Sequence, residues 1–166
     1  SGADIILLPE QDYSLKVVCD RVKEIMESGK RYVIIAISEA AKEKDGEETI
    51  AKIVKDSFEQ KRYGGVSQKL AAEIEQLTGY ETRATILGHI QRGGEPTTSD
   101  IILGARLGNA ACNLLINGEP GYIVGIKGGN VVKMAFPKDR VPRLLDMNND
   151  DLCRTARDMG VCFGQE

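Results

Sequence analysis

The 166-residue sequence predicts an α/β fold. Two short apolar runs, Asp4 to Leu8 and Tyr32 to Ile37, are continuous rather than alternating. That is the pattern of strands buried on both faces in a parallel sheet. Between them Leu15, Val18, Val22, Ile25 and Met26 recur at helical spacing. Strand and helix signals go on alternating down the chain, and no segment repeats.

Each element has a local reason. Pro9 stops the first strand, Ser14 is placed to cap the helix that follows, and Gly29 ends it. Residues 4–37 thus read as one β-α-β unit with a right-handed crossover. Residues 42–48 mix charges around Gly46 and read as a solvated loop or a helix start. Thr49 to Phe58 reads as a short helix, with Gly64 and Gly65 as breakers. Leu70, Ile74 and Leu77 mark another helix, closed by Gly79. Glu81 to Leu87 is rich in β-branched residues and reads as a third strand. After Pro96, Thr97, Thr98 and Ser99 offer caps for a long helix. Leu103, Leu107, Ala110, Ala111 and Leu114 lie on one face of it, and it stops near Asn117 and Gly118. Tyr122 to Ile126 and Val131 to Phe136 are two strands joined through Lys127, Gly128, Gly129 and Asn130, a hairpin signal. Residues 137–166 are polar, with a helix from about Asp150 to Met159.

Composition narrows the function classes. Apolar residues make up 42% of the chain and charged residues 28%, enough apolar side chain for a core, so disorder along the whole length is excluded. The net charge of −3 provides no broad basic field, so no nucleic-acid partner is expected. The longest uncharged apolar stretch falls far short of the ~20 residues of a membrane span. The N-terminus lacks the basic region of a signal peptide, so the expected location is cytoplasmic, with no membrane partner. Cys19, Cys112, Cys153 and Cys162 have no C-x-x-C spacing and read as buried free thiols in a reducing compartment. His89 is the single histidine, so any imidazole chemistry must use it.

The stretch Glu81 to Gly94 carries the chemistry. On a strand, Arg83 and Thr85 share one face, and the strand's end delivers His89 and Arg92 with two residues between them. Ligands of open α/β sheets bind beyond the carboxyl ends of strands. Gly88, Gly93 and Gly94 let backbone approach a ligand closely. Two arginines and a histidine form a small cationic pocket, and the planar guanidinium fork suits phosphate. An alternative stands level on the residues alone: Arg83 makes a surface ion pair with Glu81, and His89 only ends a strand.

The run Arg83-x4-Gly88-His89-x-Gln91-Arg92-Gly93-Gly94-x5-Asp100 resembles the signature of the 6-phosphofructokinases. The resemblance extends to Gly2-Ala3-Asp4 through Pro9-Glu10, to Ser28-Gly29-Lys30-Arg31, to Ala36-Ile37-Ser38-Glu39 and to the helix after Asp100. It implies a three-layer α/β sandwich of the phosphofructokinase type, here an incomplete C-terminal half carrying parts of two domains. Residues 1–90 would belong to a substrate-side domain and 91–146 to a donor-side domain, with 147–166 returning to the first. The implied reaction phosphorylates the 1-hydroxyl of fructose 6-phosphate to fructose 1,6-bisphosphate in glycolysis. Glu39 would accept hydrogen bonds from sugar hydroxyls; Arg83, His89 and Arg92 would hold the 6-phosphate; Gln91 would support the turn. In the family the arginine at the Arg83 position reaches a neighbouring subunit's site, which implies a homo-oligomer, dimer or tetramer. Mg²⁺ and the donor, ATP or pyrophosphate, would be held mainly by the family's other half, whose glycine-paired donor loop and Thr-Ile-Asp segment this sequence lacks. No catalytic residue and no metal ligand is expected in this chain, which alone should be inactive.

The resemblance also implies an effector site at Gly2, Ala3, Asp4 and Lys30. Ser28 stands where the regulated members carry a second lysine, so weak effector control is expected. Ile101 follows the motif aspartate where the family usually has a basic residue or leucine, and the stretch from Glu39 to Glu81 is longer than in the compact regulated enzymes. The alternative function is a non-catalytic phosphosugar-binding module.

Overall fold

The computed structural model describes residues 2–44, 46, 50–53, 61–63, 65–137 and 144–165, with backbone only for 50–53 and 61–63. The chain divides into two compact units, Ser1–Ile86 with Leu144–Glu166, and Leu87–Arg143.

The first unit is built on strand β1 (Ile5–Leu7), which pairs in parallel with β2 (Ile35–Ile37), Ile5 opposite Ile35 and Leu7 opposite Ile37. Helix α1 (Leu15–Glu27) makes the crossover. The Ser14 hydroxyl accepts from the Val17 N–H, and Gly29 closes the helix at φ 93°. On β1's other edge the chain returns: the Ile6 N–H donates to the Cys162 carbonyl at 2.9 Å, and the Cys162 N–H donates to Asp4 at 3.0 Å. β1 is therefore a central strand, as its continuous apolar run requires.

Its side chains alternate between two cores. Ile5 and Leu7 are fully buried with Val18, Cys19 and Val22 of α1 and Leu70 and Ile74 of α2 (Val66–Thr78). Ile6 and Leu8 pack on the opposite side against Met147, Cys153 and Phe163. Cys153 belongs to α4 (Asp151–Asp158), capped by the Asp150 carboxylate accepting from the Cys153 N–H at 2.9 Å. This unit thus has three layers: α1 and α2, the sheet, and the segment carrying α4. Tyr13 is buried in the first core, and burial pushes its phenol up to about 12.

Three expectations in this unit change. The second strand is only Ile35–Ile37, because the Ile34 N–H is taken by the Asp4 side chain and its carbonyl by the Asp4 N–H. The helix expected over Thr49 to Phe58 is instead a strand at its start, β3 (Ile50–Ile53), antiparallel to β4 (Lys61–Tyr63). Residues 54–58 lie outside the described residues. Thr49, Ile50 and Ile53 are β-branched, which weakens a helix and suits a pleated ladder. Glu81 to Leu87 joins no ladder among the described residues. β-branched composition favours a sheet surface only when a neighbouring strand supplies the other half. In the loop of 42–48, Lys42 and Lys44 bracket Tyr13 through backbone bonds of 2.9 and 2.7 Å, while 45, 47 and 48 lie outside the described residues.

The second unit opens with a 3₁₀ turn, Gly88–Arg92, and continues into α3 (Thr98–Ile116). Thr97 and Asp100 form a reciprocal capping box at its start. Leu107, Ala110, Ala111 and Leu114 are the half-buried stripe, whereas Leu103 is exposed. The helix packs on an antiparallel hairpin, β5 (Tyr122–Lys127) and β6 (Asn130–Ala135). Lys127 pairs with Asn130, so the turn is two residues, Gly128 and Gly129, with φ of 55° and 80°. Positive φ at both central positions is what a tight hairpin of this hand needs, and glycine supplies it without strain. No helix among the described residues is long and apolar enough to cross a membrane.

Candidate functional site

Glu39 lies in the turn directly after β2. The Ser38 N–H donates to the Leu7 carbonyl at 3.0 Å, which brings the carboxyl ends of β1 and β2 together before the chain turns. The Ala41 N–H donates back to Ser38 at 3.0 Å, so Glu39 is pushed out at the strand ends, exposed. That is the edge where ligands of parallel sheets bind.

Arg83 lies in the same unit, on the unpaired segment after α2. Its Nε and Nη2 donate to Glu81 Oε1 at 2.8 and 2.6 Å, with the guanidinium-bearing side chain 85% exposed. The structure therefore places Arg83 in the surface pair that the residues alone left open. Glu81 and Arg83 also no longer sit on a strand, so the shared face of Arg83 and Thr85 has no sheet behind it.

His89, Gln91 and Arg92 belong to the second unit, all exposed on the 3₁₀ turn. The Ile90 N–H donates to Leu87 at 3.0 Å and the Gly93 N–H to Ile90 at 3.1 Å. Side chains three apart eclipse on such a turn, so His89 and Arg92 project on one side. Gly88 and Gly94 flank it with φ of 50° and 97°. The spacing His89-x-x-Arg92 carried this signal in the sequence, although a strand end rather than a 3₁₀ turn supplies the expected context.

The residues of the expected effector site come together in part. Lys30 makes an ion pair with Asp4, and its ammonium lies 5.4 Å from the centre of the Tyr32 ring. Asp4 Oδ2 also accepts from the Ile34 N–H at 2.9 Å. Burial works to raise the Asp4 carboxyl, but Lys30, the Ile34 N–H and the more distant Arg21 outweigh it and hold it below the usual carboxylate range. Gly2 is exposed with φ 95° and Ala3 is half-buried beside them. Sequence reasoning marked Asp4 only as a ligand-facing acid and missed its hold on the backbone of residue 34.

Among the described residues no three His, Cys, Asp or Glu side chains converge as a metal site would require. A shallow groove of about 420 Å³ in the second unit is lined by Ala105, Arg106, Asn109, Ala110, Asn113 and Val131. Its polar groups already serve the fold: Arg106 donates to the Gly129 carbonyl at 2.7 Å, and Asn113 to Asn109 at 2.7 Å. Of the four cysteines, Cys19 and Cys153 are buried and Cys162 is half-buried. Cys112 is exposed on α3, contrary to the expectation of buried thiols, because it lies off the half-buried stripe.

Comparison with known proteins places these features in context. The family model described as Phosphofructokinase matches residues 1–115. The ATP-dependent 6-phosphofructokinase 2 of Clostridium perfringens is 40% identical over 164 residues, 98% of this chain and 44% of that protein. The ATP-dependent 6-phosphofructokinase 1 of Synechocystis is 34% identical over 99% of this chain and 45% of its own length. This chain thus spans less than half the length of the curated relatives it matches. A pyrophosphate-dependent phosphofructokinase from Marinobacter aquaeolei superposes with a TM-score of 0.67 at 14% identity, covering 99% of this chain and 42% of that one. That likeness shows the fold.

Proposed function

The chain belongs to the phosphofructokinase family, and from that premise we propose that it supplies the fructose 6-phosphate contacts of a glycolytic 6-phosphofructokinase. One observation carries the reading: the family match spans the whole Arg83–Asp100 run, in which His89 and Arg92 project together from one turn. An imidazole and a guanidinium side by side, both open to solvent, suit a phosphate monoester. Glu39, at the carboxyl ends of β1 and β2, accepts hydrogen bonds from sugar hydroxyls; a carboxylate there orients the sugar without approaching its phosphate. Arg83 completes the phosphate site, and Gln91 supports the turn. In this reading the active enzyme is a cytoplasmic homo-oligomer, with Arg83 serving a site shared between subunits.

These residues bind and orient; they do not transfer the phosphoryl group. Holding the phosphate fixes the far end of the sugar and so restricts where its 1-hydroxyl can go, which lowers the entropic barrier to attack. Mg²⁺ and the donor are assigned to the part of the family's length that this chain does not span. The names of the curated relatives favour ATP as that donor over pyrophosphate. The domain reading is a substrate-side domain of residues 1–90 with 147–166, and a donor-side domain of 91–146. The compact units, which part near Ile86 and Arg143, support it.

The test is Arg92→Ala in the full-length enzyme carrying this chain. Losing a charged hydrogen-bonding partner costs roughly 1.5–3 kcal/mol, and each 1.4 kcal/mol is about tenfold. The KM for fructose 6-phosphate should rise about tenfold or more. An unchanged KM would remove the assignment.

A further inference from the structure

We propose that Gly164 is a positioning residue for Glu39. By lying bare against both anchors of the turn that carries Glu39, it fixes where the sugar-binding carboxylate stands. The inference rests on the reading of Glu39 given above.

The turn that presents Glu39 is fastened at two ends. At its start the Ser38 N–H donates to the Leu7 carbonyl at 3.0 Å. At its far end Tyr13 holds it with both backbone groups. The Tyr13 N–H donates to the Lys42 carbonyl at 2.9 Å, and the Lys44 N–H donates to the Tyr13 carbonyl at 2.7 Å. Between the anchors Ala41 is buried in the first core. The place of Glu39 therefore follows from Leu7 and Tyr13.

The returning segment meets both anchors. On an extended chain the N–H and carbonyl of one residue face one edge, and those of its neighbours face the other. Tyr13 uses its pair on the Glu39 turn. Its neighbours face the returning segment: the Ser14 N–H donates to the Gly164 carbonyl at 2.8 Å, and Gln165 Nε2 donates to the Asp12 carbonyl at 2.9 Å. Gly164, at φ 75°, sits so close that a Cβ there would lie 2.7 Å from both Leu7 Cδ2 and Tyr13 Cβ. Leu7 can turn its methyl aside, but the Tyr13 Cβ is fixed to its own backbone. A side chain at 164 therefore displaces Tyr13, and the shift reaches the bonds to Lys42 and Lys44. These contacts lie wholly inside the first unit, with Leu7 and Tyr13 at 0 and 1% exposure and Gly164 buried beside them. Chain or subunits added outside cover such residues further and leave the contacts among them in place.

The test is steady-state kinetics of the full-length enzyme carrying this chain, with fructose 6-phosphate and the donor, ATP or pyrophosphate, varied in turn. Gly164→Ala should raise the KM for fructose 6-phosphate about three- to tenfold, the upper end being the loss of one charged hydrogen bond. The KM for the donor should not move. In a Glu39→Gln background Gly164→Ala should add no further rise, which a general loosening of the fold would do. Gln165→Ala cuts only the Asp12 bond and leaves the core filled, and should raise the same KM about twofold. It decides the matter alone where Gly164→Ala does not fold. A fructose 6-phosphate KM unmoved by both variants, while Glu39→Gln raises it, overturns the role of Gly164 and leaves the reading of Glu39 standing. So does a rise shared by the donor KM, or one that persists in full in the Glu39→Gln background. A Glu39→Gln enzyme with unchanged KM removes both.

Discussion

At Asp4 one side chain serves two neighbours. It pairs with the Lys30 ammonium and accepts from the Ile34 N–H, and together they hold its carboxyl below the ordinary value of 3.8. A carboxyl lowered on folding stabilises the folded form above its unfolded value, and that contribution disappears as pH falls through the lowered folded value. The thermal midpoint of the wild type should therefore drop more steeply below about pH 4 than that of Asp4→Asn. Parallel curves for the two proteins would mean that the carboxylate contributes nothing to folding. That His89 and Arg92 share one side follows from their spacing once the segment is a tight helical turn, although the sequence suggested a strand end there. The grip of Asp4 on residue 34 was not legible, because it crosses 30 residues of chain and depends on the parallel pairing of β1 with β2. The surface pair of Arg83 with Glu81 was legible as one of two options, and no local rule could choose between them.

Helix boundaries were the most legible elements, because their signals are local. Ser14, Gly29, Gly79, Thr97 and Asp150 each do at the helix ends what their side chain or their freedom of φ suits them to do. Ladders depend on partners, so the strand expected at 81–87 and the helix expected at 49–58 both went wrong where the deciding neighbour is distant in sequence. Glycine illustrates the same divide. Gly79 and Gly164 have nearly identical backbones, φ 76° and 75°, yet a Cβ at Gly79 meets open space. At Gly164 it would lie 2.7 Å from both Leu7 Cδ2 and Tyr13 Cβ. Both sites carry the left-handed cost of about 1–2 kcal/mol for alanine. Gly164→Ala adds overpacking of about 1–3 kcal/mol against residues that are themselves fully buried. Urea unfolding midpoints should thus fall further for Gly164→Ala than for Gly79→Ala; equal losses would show that the core beside residue 164 yields.

The two units differ in how much they bury. The first encloses two cores, one on each face of β1. In the second, neither the 3₁₀ turn nor α3 has a buried residue, and Ile101, Ile102, Leu115, Ile116 and Phe136 are exposed. Apolar surface of that extent favours association. The 166 residues alone should therefore self-associate in sedimentation experiments. They should also be silent in a coupled assay with fructose 6-phosphate, Mg²⁺ and either ATP or pyrophosphate, because phosphoryl transfer needs a metal-bridged donor, which the proposed reading assigns to the family length this chain does not span. Robust turnover by the purified chain would show that the catalytic groups have been misplaced. Composition and periodicity gave no sign of a division into two units; only the family resemblance suggested one.

The return of the chain to β1 has a kinetic side. β1, α1 and β2 close on each other within a single β-α-β unit, a short loop to form. The edge at Cys162, which bonds Asp4 and Ile6, the Gln165 side chain on the Asp12 carbonyl and the Arg21 side chain on the Gly160 carbonyl join points as much as 158 residues apart. Closing so long a loop costs more entropy, and contacts of that range form late. The contacts of the β-α-β unit are thus expected to form before those of the edge at Cys162. Changes in the tail, Gly164 among them, should accordingly act on the rate of unfolding rather than on the rate of folding.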